Sequence, residues 1–509
     1  MSKSCLKLNA LSSLLSAGCL AGFAFATSVA CATQTTCQDG ALKADEFRAT
    51  TFERPWQDLS ASVSRSAVDG AAELRLDRNR TDQEIVGFGT ALSEIGWDAL
   101  GAVSTADRKA FLDELFAADG GGFTAVRLPI GSSDFARSYY SYDDHPGDFG
   151  MEKFSVERDE SGLLPFVREV QSRVPAGTLK IWASPWTPPA WLKTNGHYAS
   201  RPTEYNDLPK EKTVWEGETG FIMDDAHLKA YALYFRKYVD AYRAKGVPIW
   251  MVMPQNEPNS SMPYSSCCWP TWALVEFVGG YLGPALEGSG TEIFFGTVER
   301  GTMDLVNQPL NDPAASRYVK GFGFQWAGKA TIVPAHKRYP GAYLMQSEQE
   351  CGDGRNDWGF AWHTWGLMRH YISNGARLYM YWNVALFDGE ASPWGWHQNS
   401  LVVVDRAKGK GRLSADYYVL KQLSHFVKRG AKRLLSDEAF DGLAFVNPDG
   451  SVTVIFGNGE KTAKTVNVRL GETIHAVTLP PESVSTLLTT DFWPNNQDTR
   501  KGNGNSEDG

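Results

Sequence analysis

The sequence predicts an α/β chain: a (β/α)8 TIM barrel carrying an antiparallel β-sandwich side domain. Two observations carry this reading. Across residues 79–427, eight short apolar runs alternate with stretches of helical period. That alternation implies parallel strands joined by crossover helices. From residue 428 to 490 the helical period stops and strand-like runs follow one another,. A doubly wound open sheet would also alternate, but it would show a Gly-rich phosphate turn, and neither GxGxxG nor GxxxxGK(S/T) occurs,.

The elements follow in order. Residues 1–32 read as a secretory signal: Lys3 and Lys7, then an apolar stretch from Leu11 to Val29, then Ala30-Cys31-Ala32 as the small-x-small cleavage site,. An uncleaved anchor is the alternative, but Ser and Ala dilute the run. A lipoprotein is a further one, but neither Cys19 nor Cys31 has Leu three residues upstream. No other segment is apolar enough to span a bilayer. Residues 33–45 are a polar lead-in. Residues 46–78 hold short alternating segments, Phe47–Phe52 and Ala72–Leu76, expected to join the side domain.

The barrel runs are Glu84–Phe88, Phe123–Leu128, Leu179–Ala183, Pro248–Met253, Glu292–Gly296, Lys320–Gln325, Ala342–Gln346 and Leu378–Asn383. Among the helices, Ser104 caps Thr105–Ala118, and Asp224 or Asp225 caps His227–Lys245, where Leu228, Tyr231, Phe235, Tyr238 and Tyr242 share a face,. Asp357–Asn374 ends at Gly375, and Asp416–Val427 is the last,. The side-domain strands are Leu443–Val446, Val452–Phe456, Thr465–Leu470, Ile474–Leu479 and Ser483–Leu488, with Asn447-Pro448-Asp449-Gly450 as a hairpin turn,. Residues 491–509 are polar and aperiodic, and are expected to be disordered.

Composition narrows the partners. Lys+Arg 50 against Asp+Glu 59 gives a net charge of −9, which argues against nucleic acid and gives no support for an anionic membrane surface as partner,. The chain carries 17 Trp, 19 Tyr and 26 Phe, enough for a cleft lined with flat rings that suit sugar faces, or for core packing,. Of seven Cys, four follow the signal: Cys37, Cys267, Cys268 and Cys351. Their spacing fits no zinc pattern, and no HExxH or EF-hand loop occurs, so neither metal nor cofactor is expected. Cys267 or Cys268 is expected to bond Cys351, since all three follow strands on one face.

Chemistry in such barrels sits where strands end. The fourth run leads into Gln255-Asn256-Glu257-Pro258, and the seventh into Gln346-Ser347-Glu348-Gln349-Glu350. Two carboxyls on opposite sides of the ring can stand about 5–5.5 Å apart, the separation of a retaining glycosidase. One must stay ionised to attack the anomeric carbon. The other must hold a proton, and nearby negative charge helps it do so.

Motifs then make the reading specific. They are Gly87-Phe88-Gly89-Thr90-Ala91-Leu92-Ser93-Glu94, the stretch from Arg127 to Phe135, the stretch from Ala183 to Asn195, Asn256-Glu257-Pro258, Tyr381-Trp382-Asn383 and the stretch from Trp394 to Asp405. In this order, across residues 46–490, the chain resembles glycoside hydrolase family 30. The resemblance implies Glu257 as general acid/base and Glu348 as nucleophile, the latter preferred over Glu350. It implies Asn256 as a partner of the sugar 2-hydroxyl, and Trp186 and Trp382 as pocket walls. Glu94, standing where relatives often carry Asp, is expected to bind hydroxyls on the far side of the ring. Arg127 and Asp134 are expected in support, Arg127 either holding a catalytic carboxylate or forming a buried structural pair. Trp326, Trp396 and Asn399 are rim candidates.

The function expected is a secreted or periplasmic retaining β-glycosidase acting on β-glucosidic linkages, glucosylceramidase-like, with a β-linked glycan or glycolipid as substrate. Alternatives within the family are an endo-β-1,6-glucanase, β-xylosidase, β-fucosidase or xylanase. From another class, a carbohydrate-binding barrel without catalysis is disfavoured by the two carboxylates. Oligomeric state is not readable.

Overall fold

The computed structural model describes residues 45–67, 74–436 and 440–490. The expected signal, the lead-in before Asp45, Cys37, the first residues of the Ala72–Leu76 run and the expected disordered tail lie outside them.

Eight parallel strands close the barrel in sequence order: β1 (Gly87–Ala91), β2 (Ala125–Pro129), β3 (Lys180–Ser184), β4 (Met251–Val252), β5 (Glu292–Val298), β6 (Val319–Gln325), β7 (Tyr343–Glu348) and β8 (Ala376–Asn383). Their interior is filled by Trp182, Met251, Met253, Phe294, Met345, Leu378 and Met380. Flexible methionines suit the irregular space left inside a tilted ring. Gly89 of β1 has no alternative, because a Cβ there would stand 1.9 Å from the Ala125 carbonyl oxygen of β2.

Helix boundaries follow local chemistry. The side chains of Ser104, Asp224, Asp357 and Ser414 each accept a backbone N–H three residues on, starting the helices Thr105–Phe116, Asp225–Ala244, Trp358–Ser373 and Ala415–Ser424,. The face predicted for Asp225–Ala244 is the buried one. Gly375 takes a φ of 89° just beyond Trp358–Ser373, which Cβ sterics disfavour for other residues,.

The side domain is two sheets. In the seven-stranded one, Glu46–Thr51 pairs with Ser483–Thr489 over six residues in register. In the four-stranded one, Ser64–Ala67 and Leu74–Leu76 flank Thr473–Leu479 and Lys464–Leu470, and Leu74–Leu76 pairs in parallel. Between the sheets, Phe47, Leu74, Val454, Phe456, Val468, Val477 and Leu487 form a second core. A buried polar seam ties this domain to the barrel: Gln422 Nε2 donates to Thr50 Oγ1 at 2.9 Å, and Thr486 Oγ1 to the Gln422 carbonyl at 2.7 Å.

Two expectations fail. The run Glu84–Phe88 is not one strand. Thr81–Glu84 is the edge of the seven-stranded sheet, and the chain crosses to the barrel at Ile85 and Val86, whose N–H groups bond Ala431 on one side and Arg377 on the other. The backbone changes partner sheet there, which an apolar run cannot reveal. The expected disulfide is also absent, because Cys267, Cys268 and Cys351 are buried free thiols. The Cys351 thiol donates to the Gln349 carbonyl, while Cys267 packs beside Gly220, so the sulfurs face different surroundings.

Candidate active site

The barrel closes its strands so that one residue from most of them ends at the same rim. β2 brings Arg127, which is fully buried. Its Nη1 donates to Glu348 Oε2 at 2.7 Å and its Nη2 to Asn256 Oδ1 at 2.7 Å. Nε and Nη2 also reach Ser184 Oγ at the end of β3. One planar fork thus fixes groups on three other segments, as a point-charge ammonium would not. Three indoles surround it: Arg127 Cζ lies 4.7, 4.4 and 5.3 Å from the ring centres of Trp182, Trp186 and Trp382. Trp186 and Trp382 stack on each other at 5.0 Å. These two expected wall residues therefore also bed a buried cation.

Glu348 ends β7 and Glu257 lies five residues beyond β4, and both are buried. Trp326 Nε1 donates to Glu348 Oε1 at 3.2 Å. Gln325 Nε2 donates to Glu257 Oε1 at 3.0 Å. Glu257 and Trp326 both sit in the left-handed backbone region, at φ 49° and 47°. Such strain persists only where surrounding contacts enforce it.

The two carboxyls have different environments. Burial raises the Glu257 pKa well above the usual range, and the charges of Glu348 and Glu299 add to it. Burial also raises Glu348, but the Arg127 charge and hydrogen bonds from Trp326, Arg127 and Gln325 pull it back. Glu257 is thus the group that keeps its proton.

The other candidates divide. Asn256 Oδ1 accepts from Arg127, Thr297 Oγ1 and Gln325 Nε2, which leaves its amide N–H groups to donate. Asp134 is buried beside the cluster with Oδ1 unpartnered, and burial with the Glu348 charge lifts its pKa to about 8. Glu94 departs from expectation. Its oxygens accept from Arg158 at 3.1 and 3.2 Å and from the Arg137 N–H at 2.9 Å, so the carboxylate is consumed by protein. The side chain reaches the Arg158 guanidinium and the Arg137 main chain, while the Arg137 guanidinium itself is held by Asp98. Asn399 is not at the rim either: it is fully buried, and its Oδ1 accepts the N–H groups of Gly354 and Asn356, bracing that loop. Trp396 is half-buried against Tyr264. Glu350 turns away to Lys329 and His363.

Sequence reading missed Ser184, Thr297, Gln325 and Glu299. Ser184 and Gln325 are the last residues of their strands, and Thr297 is the last but one of β5. Following each run to its last polar residue finds Ser184, Thr297 and Gln325, whereas Glu299 lies beyond the end of β5.

A model described as the glycosyl hydrolase family 30 TIM-barrel domain matches residues 85–427, and one described as the family's beta sandwich domain matches 430–487. The lysosomal acid glucosylceramidase of Mus musculus is 28% identical over 413 residues, 76% of this chain and 77% of the mouse protein. An endo-1,6-beta-D-glucanase of Aspergillus fumigatus is 27% identical over 436 residues, 80% of this chain and 85% of the fungal one. A solved endo-beta1,6-glucanase superposes with a TM-score of 0.74 at 25% identity, covering 88% of this chain and 100% of that one.

Proposed function

We propose that this chain, which belongs to glycosyl hydrolase family 30, is a retaining β-glycosidase that cleaves β-glucosidic linkages with Glu348 as nucleophile and Glu257 as acid/base. As a family member it is a glycoside hydrolase, and its substrate is a glycan or glycolipid. The observation that carries the finer reading is the asymmetry of the two carboxyls: Glu348 is ion-paired with Arg127, while Glu257 forms no ion pair among the described residues.

In the first step a Glu348 oxygen bonds to the anomeric carbon as the bond to the leaving oxygen breaks. Glu257 gives its proton to that oxygen. In the second, water attacks the same carbon, the Glu257 carboxylate takes the water's proton, and the bond to Glu348 breaks. Two displacements return the starting configuration. Asn256 donates to the 2-hydroxyl, held by three donors on its oxygen. Asp134, with a free oxygen beside Glu348, takes the hydroxyl-binding role once expected of Glu94. Trp186, Trp382 and Trp326 supply the ring faces.

Glucosylceramide is the first substrate reading, on the mouse relative. A second is an endo-acting β-1,6-glucanase, supported by the fungal relative and the solved glucanase. Export is proposed from the segment at residues 1–32, whose Ala30-Cys31-Ala32 suits cleavage,. No helix among the described residues is long and apolar enough to cross a membrane. Product profiles on glucosylceramide and on linear β-1,6-glucan separate the two substrate readings. Glucose released from the lipid alone supports the first, and a ladder of oligosaccharides from the glucan the second. No hydrolysis of any β-glucoside contradicts both.

A further inference from the structure

We propose that Glu299 is a positioning residue for Glu257: its buried carboxylate ties down the turn that carries Glu257 and sets a negative charge against it. This rests on the reading of Glu257 as proton donor. Glu299 follows β5 directly and is 1% exposed. Its Oε1 accepts the Asn259 N–H at 2.6 Å and the Ser260 hydroxyl at 3.2 Å. Those residues close the turn begun at Glu257, whose carbonyl accepts the Ser260 N–H at 3.0 Å and whose φ is left-handed. The turn is thus held from β5, next to the strand that delivers it.

The second oxygen argues for more than a brace. Glu299 Oε2 is buried with no hydrogen-bond partner among the described residues. A brace needs only the one accepting oxygen, which a glutamine carbonyl supplies without burying a charge. What glutamate adds is charge. Burial lifts Glu299 to about 7, opposed by Arg300. The groups facing Glu257 are Glu348 from β7, Glu299 after β5 and Asp134 after β2, with Tyr264 and Arg127 nearby. As pH rises, Glu299 ionises and its charge makes proton loss from Glu257 harder, extending the range in which Glu257 is an acid.

The test compares full-length E299Q and E299D with the unmodified chain, by kcat/KM against pH. One substrate is phenyl β-glucoside, whose leaving group needs the proton, and the other is 2,4-dinitrophenyl β-glucoside, whose leaving group does not. For E299Q the alkaline limb on the phenyl substrate moves down by about one pH unit, and activity above it falls roughly tenfold. The dinitrophenyl value stays within about twofold, and E299D restores the limb. An unmoved limb, or equal losses on both substrates, overturns the proposal. If E299Q does not fold, E299A takes its place: a larger loss on the phenyl than on the dinitrophenyl substrate supports positioning, and equal losses overturn it. E257Q run alongside separates the failures. Full activity of E257Q on the phenyl substrate removes the reading of Glu257, and this proposal with it. An inactive E257Q with an unmoved E299Q limb removes the role of Glu299 alone.

Discussion

Arg127 and Glu348 are joined at 2.7 Å inside a ring of indoles, the guanidinium fully buried and the carboxylate nearly so. A buried charge pair costs desolvation on both sides and is held only by good geometry and further hydrogen bonds. Here the further bonds run to Asn256 and Ser184, so one side chain sets both the proposed nucleophile and the group expected at the 2-hydroxyl.

Replacing Arg127 by lysine therefore loses more than it keeps. An ammonium cannot span Glu348, Asn256 and Ser184 together. The expected result for R127K is a loss of roughly 100-fold in kcat/KM on an aryl β-glucoside, with far-UV circular dichroism unchanged. Near-normal activity would remove Arg127 from the positioning role.

The two candidate acids on the 348–350 segment separate by mutation. E348Q is expected to abolish turnover, and E350Q to retain it, because Glu350 is paired with Lys329 and His363. E257A is expected to lose roughly 10²–10⁴-fold on a poor leaving group, whereas on 2,4-dinitrophenyl β-glucoside, whose leaving group needs no proton, added azide should raise turnover and yield a β-configured glycosyl azide. Azide replaces the water that Glu257 no longer activates.

Stability should fall between acid and neutral pH in a way that Asp416 feeds. Asp416 is buried, and burial lifts its pKa from 3.8 to about 7, with Thr364 Oγ1 donating to it at 2.5 Å. The folded state thus holds a proton that the unfolded chain releases. That contribution is complete below about pH 3.8 and is lost as pH rises towards 7, at up to about 1.4 kcal/mol per unit,. In urea titrations D416N should show a shallower decline than the parent between pH 4 and 7. A parallel decline would contradict the account.

The early strand is structural. Phe47 is fully buried in the sandwich core, and F47A should cost about 3–5 kcal/mol by urea unfolding,. The folded fraction should keep its kcat.

Most of the barrel was legible because each run ended in a change of period, and Ser104 marked a helix start directly, while the choice between Asp224 and Asp225 fell to Asp224 in the structure. Glu257 and Glu348 stood out in the sequence because two glutamates follow the fourth and seventh apolar runs, the first with Asn256 beside it. What escaped depended on packing direction. Glu94 was misread since nothing local reveals Arg137 and Arg158 waiting for it. Asn399 and the cysteines were misread because position after a strand does not say which way a side chain faces. Glu84 and Gly87 belong to different sheets within one apolar stretch, and only the long-range partners Lys432 and Leu378 tell them apart.

The central claim is that Glu348 attacks the anomeric carbon. The direct measurement is mass spectrometry of the full chain after reaction with 2-deoxy-2-fluoro-β-glucosyl fluoride, followed by peptide mapping. The account predicts one fluoroglucosyl group on Glu348. A label on Glu350 or any other residue, or turnover with no labelled species at any time, would contradict it.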